Sequence, residues 1–438
     1  MTSERKVPGW LKRPSVSSGS FASNIGFTAG KSLIGIIAQL VFTPIIVSLY
    51  SPEAYGSFGF IMSLTSIILP LSTLQYDKAI YMAKDRIEIE ELSKILHLTP
   101  VFMSVFLTIS YFLIADFIPD GSSIRSLGYG ILLTPLLIIL TSWAQTSQHL
   151  MAVNYRYKDG FLFGSASMIG SKLVSIAYAV LFGGWFGGLA LSEVFNRLGQ
   201  LVVNNSIILK RPIFPSLAGV RSSALRATAL KYISFPKFDL PAVLLAALSK
   251  QVPLFWIPRS FGLASFGHYV LAVSLLEVPM RLLGYSLSSV FFQRAVKAYA
   301  SGGIGQLRQI TLKTIVLLSG AGFIPLVLIG LFAQELFVLF FGETWSVSGA
   351  IAQRLCIAYS VRMVVEPIGA VLRVLGEQKK FLVFNTAFLF MRIGAMAVGM
   401  LTGVDLITAV TFYALAEAAG YLLLGGSIVL RLFAREKP

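Results

Sequence analysis

Eight basic side chains interrupt long apolar stretches of this 438-residue chain: Lys31, Lys172, Arg197, Lys250, Arg281, Arg354, Arg362 and Arg392. An uncompensated lysine or arginine near the centre of a hydrocarbon layer costs at least ~2.5 kcal/mol, so these side chains are expected to face a wet cavity or a partner. Glu193, Glu277, Glu366 and Glu417 occupy the same stretches, and Asp239 lies near the end of one. Three glutamates stand four residues from a base on one helix face: Glu193 with Arg197, Glu277 with Arg281, and Glu366 with Arg362. For these pairs, neutralisation during insertion and a role toward a substrate are both open.

The bases outnumber the acids, and a cavity with excess positive charge suits an anion, most simply phosphate or pyrophosphate. Lys31, Lys250 and Arg281 are the cations best placed to meet a diphosphate, with Glu277 orienting Arg281 and with Arg354 and Arg362 as a second rank. A guanidinium grips phosphate oxygens in two prongs, whereas an ammonium acts as a point charge. Asp239 and Glu417 are candidates to carry a coupling proton or sodium ion, and helix packing is their alternative role.

Enzyme chemistry finds little footing. The stretch Gly26-Phe-Thr-Ala-Gly30-Lys31-Ser32 has three residues between its glycines where a phosphate-binding loop needs four, and no strand precedes it. Its glycine spacing suits close helix packing instead. Neither HExxH nor GxSxG occurs. The single cysteine, Cys356, lies in an apolar run and reads as packing, and His97, His149 and His268 are scattered, so no metal site, cofactor or catalytic residue is expected. With no nucleotide site, transport would run on an ion gradient or on the substrate's own gradient.

The elements that must position the charges are membrane helices. A chain that is 55% apolar and 13% charged, with a mean hydropathy of +0.77, has the bilayer as its solvent, and nucleic acid is not expected as a partner. Apolar runs over 25–50 and 54–75 meet at the turn Ser51-Pro52-Glu53, forming an antiparallel hairpin. A second copy begins 211 residues later, where Phe266-Gly267 matches Tyr55-Gly56. Further spans follow near 97–117, 127–149, 162–182, 187–208, 236–257, 264–292, 313–334, 346–371, 381–402 and 405–430, for an all-α fold of about twelve transmembrane helices.

The expected organisation is a disordered basic tail over 1–24, a six-helix lobe over 25–208, a cytoplasmic linker over 209–235, a second six-helix lobe over 236–430 and a tail over 431–438. Residues 76–96 read as an amphipathic helix on the membrane surface. Alternating the loops from a cytoplasmic start leaves only Arg125 and Arg259 outside, so both termini are expected in the cytoplasm. Prolines such as Pro44, Pro70, Pro253, Pro279, Pro325 and Pro367 fall within the spans and permit the bending that alternating access needs.

Thr43-Pro44, Ser51-Pro52-Glu53-Ala54-Tyr55-Gly56, Phe340-Phe341-Gly342-Glu343-Thr344-Trp345 and Arg373-Val-Leu-Gly376-Glu-Gln-Lys379 together resemble the bacterial polysaccharide flippases. These belong to the multidrug/oligosaccharidyl-lipid/polysaccharide exporter superfamily. The resemblance covers essentially the whole chain. It implies two six-helix lobes around a central cavity, in the bacterial cytoplasmic (inner) membrane. It also implies translocation of undecaprenyl-pyrophosphate-linked oligosaccharide repeats from the inner to the outer leaflet, with polysaccharide polymerase and chain-length proteins as partners. No binding residue transfers by motif, so the site residues above rest on charge and span position. An ion-coupled drug or organic-cation antiporter of the same superfold is the alternative, and it would want an acidic cavity. An integral-membrane polymerase or glycosyltransferase is the third reading, set against uniformly short outward loops.

Overall fold

The computed structural model describes residues 21–83, 85–119, 122–154, 157–210, 212 and 222–434. The described chain is helical almost throughout, in twelve long rods. They are α1 (Phe21–Leu49), α2 (Pro52–Thr73), α3 (Arg86–Ile114), α4 (Leu133–Val153), α5 (Tyr157–Phe182) and α6 (Phe186–Val202). After them come α7 (235–261), α8 (263–301), α9 (304–341), α10 (Ser346–Ile368), α11 (Gln378–Leu401) and α12 (Leu406–Ala434). Gly262, at φ 82°, and Gly303, at φ 59°, reverse the chain between α7 and α8 and between α8 and α9, in a left-handed region that a side chain would strain.

Among the described residues nine helical stretches are long and apolar enough to cross a bilayer. The stretch over Phe235–Leu282 contains the Gly262 reversal and holds two crossings. The others are α1, whose apolar part is Leu33–Leu49, and α6, diluted by Glu193, Asn196, Arg197 and Gln200. The fold is therefore an all-α integral membrane protein of about twelve spans. π-helical turns at Phe235–Asp239, Met280–Gly284 and Ser319–Phe323 lie beside Pro241, Pro279 and Pro325, where proline removes a backbone donor.

By contacts the chain divides into two units. The first takes the described residues up to Tyr50 together with Phe60–Ala247. In it α1 packs on α5, α5 on α6, and α4 on both α3 and α6. Two boundaries differ from the sequence reading. Helix α1 already begins at Phe21, inside the expected tail, whose residues 1–20 lie outside the described residues. The expected surface helix over 76–96 is the short turn Tyr76–Ala79 followed by the start of α3, which runs on unbroken into its membrane part. Its apolar face is buried within the protein, where Ile89, Leu92 and Leu96 pack with Tyr76, Ile80, Leu150, Ile208 and Tyr232. The connecting helix Ser222–Lys231 docks on the same end of α3, with Glu88 taking Lys231 and Tyr232 and Glu91 taking Thr228.

The second unit takes Ser51–Gly59 together with the described residues from Leu248 onward. Its central rod is α10, which packs on α8, α9 and α12 and whose apolar window is 83% buried. The start of α2 packs on the start of α8 here. A Cβ on Gly56 would stand 1.8 Å from Leu263 O and 2.8 Å from Gly267 N, and one on Gly267 would stand 1.9 Å from Pro52 O and 2.9 Å from Gly56 N. Each glycine thus fits the turn just before the other, a local two-fold relation between α2 and α8 in the register of the repeat. Tyr55 meets the edge of Trp345 at 5.7 Å, and Trp345 meets His268 at 5.3 Å. Tyr55, near the start of α2, and the Gly342-Glu-Thr-Trp345 segment therefore form one junction.

Candidate functional site

The second unit gathers its intramembrane charges into two buried clusters. On α10 the Arg362 guanidinium is 4% exposed, and its Nε donates to Glu366 Oε2 at 2.9 Å, one turn along. Its second nitrogen donates to Glu277 Oε1 of α8 at 2.9 Å, and Tyr359 O–H donates to the same oxygen at 3.4 Å. The guanidinium also lies 5.3 Å from the centre of the Tyr359 ring. One cation thus serves two carboxylates, and both carboxylate side chains remain partly exposed, at 24% and 29%.

The other cluster lies between α7, α11 and α12. Arg392, 5% exposed, donates to Glu417 Oε1 at 3.1 Å and to Ser249 Oγ at 2.6 Å. Glu417 is itself buried, and Arg392 Nε is buried with no hydrogen-bond partner among the described residues. The arrangement is a cationic strut that ties three helices together through one head group. A guanidinium suits this geometry, because its planar donors point in several fixed directions.

The sequence reading paired Glu193 with Arg197 and Glu366 with Arg362, and both ion pairs form, at 2.5 and 2.9 Å. It gave Glu277 to Arg281; the structure joins Glu277 to Arg362, 85 residues away in sequence. α8 enters the π-helical turn Met280–Gly284 directly after Pro279. Arg281 is exposed on that turn. Lys250 is exposed beside the break at Gln251, and Arg354 is exposed on α10; neither has an ion pair among the described residues. The side chain of Lys31 lies outside the described residues, although its backbone is part of α1. Asp239 forms a surface pair with Lys78 at 3.4 Å, with both side chains nearly half exposed. Sequence reasoning missed the link between Arg392 and Glu417. Its only signal was an acid and a base on successive spans, each without a neighbour of opposite sign one turn away.

Besides Glu193, Arg197 and the partly buried Lys172, the first unit carries a network of neutral polar groups. Gln148 Nε2 donates to Gln200 Oε1 at 2.9 Å, Gln200 Nε2 donates to Asn196 Oδ1 at 3.0 Å, and Asn204 Nδ2 donates to Ser147 Oγ at 3.0 Å. Ser72 and Ser142 share a hydrogen bond of 2.9 Å. Among the described residues no group of three or more His, Cys, Asp and Glu could hold a metal ion. Cys356 is 2% exposed and packs against Gly330.

Residues 45–350 match the family described as "Polysaccharide biosynthesis protein". The chain belongs to this family. The solved structures place its fold among transporters. An inward-facing multidrug resistance MATE family transporter of the MOP superfamily is 15% identical at a TM-score of 0.61, over 98% of this chain and 99% of that one. The lipid II flippase MurJ in an inward closed conformation is 14% identical at a TM-score of 0.65, over 94% and 91%. A MOP superfamily transporter from Pyrococcus furiosus, described as having a binding pocket of reversed polarity, is 17% identical at a TM-score of 0.52, over 95% and 97%. No curated protein matches the sequence. This family member is thus a membrane protein that shares its fold with these transporters and with the MurJ flippase.

Proposed function

We propose that the protein flips undecaprenyl-pyrophosphate-linked oligosaccharide repeats from the inner to the outer leaflet of the bacterial cytoplasmic membrane, by alternating access between two six-helix lobes. The observation that supports this most is that two intramembrane bases, Lys250 and Arg354, have no carboxylate partner among the described residues. Arg362 and Arg392 are matched by glutamates, while Lys250 and Arg354 are exposed with no acidic partner among the described residues. Together with Arg281 and Lys31, these are the cations we assign to the pyrophosphate. Both termini are cytoplasmic in this reading, and a polymerase and chain-length proteins act on the product.

Deleting the gene is the test of function. Finished lipid-linked repeats should accumulate on the cytoplasmic leaflet, whereas loss of a polymerase or glycosyltransferase would leave repeats unpolymerised or unfinished. Lys250→Ala should abolish surface polysaccharide at an unchanged amount of inserted protein, and Arg281→Lys should lose more than Lys250→Arg. Reporter fusions at Gly187, Glu343 and Gly403 should read outside and one at Gly302 inside; two reversed sites would overturn the topology.

An organic-cation antiporter is the second reading, favoured by one feature. Glu277 and Glu366 together outnumber Arg362, and both are partly exposed. Drug efflux that depends on Glu277 and leaves surface polysaccharide unaffected would select it.

A further inference from the structure

Between α7 and α11 the second unit carries an open apolar groove of about 650 Å³. Leu248, Val252, Phe255 and Trp256 line it from α7, and Leu389 and Ile393 from α11. From Leu389 to Met400 the groove follows α11 for eleven residues, roughly 16 Å of helix. Its two ends differ in chemistry. At one end Leu248 and Ile393 adjoin, in sequence, Ser249 and Arg392 of the buried strut, whose cation is already matched by Glu417. At the other end, beside Met400 and three residues before the Gly262 reversal, stands Arg259. Arg259 is exposed, and it makes no ion pair or hydrogen bond to another described residue.

A lining of aliphatic and aromatic side chains takes hydrocarbon, and an unmatched guanidinium at its mouth takes a phosphate oxygen pair. The helical hydrogen-bonding of α7 is interrupted at Gln251, at φ −99° and ψ 15°, beside this groove. We propose that this groove holds the isoprenoid chain of a polyprenyl diphosphate, with the diphosphate on Arg259. The proposal rests on the lipid-linked reading above and adds a site to it. Because the charge distribution puts Arg259 on the outer side, the groove receives the carrier as product, after the sugar has crossed. Bulk phospholipid filling the same slot is the competing outcome.

The test is photolabelling of the purified full-length protein in phosphatidylethanolamine–phosphatidylglycerol vesicles with a diazirine-bearing polyprenyl diphosphate. Label should map to 248–259 and 389–400, and unlabelled polyprenyl diphosphate should compete it where added phosphatidylglycerol does not. Arg259→Gln should weaken labelling about tenfold, Arg259→Lys much less, and Ile393→Trp, which fills the slot, should remove it. The wild-type map needs no variant to fold. Competition by phosphatidylglycerol, or an Arg259→Gln variant that labels like wild type, would overturn the proposal. Competed label found elsewhere on the chain would overturn the groove and keep the lipid-linked function, whereas no competed label anywhere would count against both.

Discussion

In the first unit, beside the one-turn pair of Glu193 with Arg197, polar links between helices run through amides and hydroxyls, Gln148 to Gln200 to Asn196 and Asn204 to Ser147. In the second, the same task falls to two arginines and three glutamates, linked across α7, α8, α10, α11 and α12. The difference is one of commitment. A neutral amide loses modestly when its partner leaves and can find another, whereas a buried guanidinium stripped of its carboxylate is an uncompensated charge in a low dielectric. The second unit's helices are therefore joined across helices by charge pairs whose loss is costly, and the first unit's mostly by interchangeable neutral bonds.

The largest effect that would sharpen this contrast is Glu417→Gln, which leaves Arg392 with Ser249 as its recorded partner. It should cost about 3–5 kcal/mol, read as a lower melting temperature of the purified protein, and the double change Arg392→Met with Glu417→Met should recover most of it. If the single variant melts like wild type, the strut is not a structural element. Gly267→Ala, whose new carbon would stand 1.9 Å from Pro52 O, should cost about 1–3 kcal/mol by forcing α2 and α8 apart, and Gly56→Ala should match it if the local symmetry holds.

Glu277→Gln strands Arg362 less severely, because Glu366 remains bonded to it at 2.9 Å. Its melting shift should be clearly smaller than that of Glu417→Gln. Equal shifts would break the ranking of the two clusters. In the first unit Gln200→Leu should cost about 1–2 kcal/mol, the loss of neutral bonds only. Smallest is Asp239→Asn, which removes an exposed ion pair with Lys78 and should shift stability by less than about 1 kcal/mol, and less still at high salt.

The lipid-embedded helical architecture and the pair of hairpin copies were legible from composition and periodicity, because these are properties of a chain segment and its solvent. Local ion pairs were legible for the same reason, since Glu193 with Arg197 and Arg362 with Glu366 lie one turn apart on regular helix. Tertiary structure decided the rest. Helix packing assigned Glu277 to Arg362 over a separation of 85 residues and joined Arg392 to Glu417 and Ser249, because distance along the chain says nothing about which faces of different rods meet. It also turned the amphipathic start of α3 inward against Leu150 and Ile208, where a periodicity of 3.6 shows only that one side is apolar and not what covers it. Charge content followed from the sequence, but which cations remain unmatched depends on geometry, because neutralisation requires a carboxylate within a few ångströms.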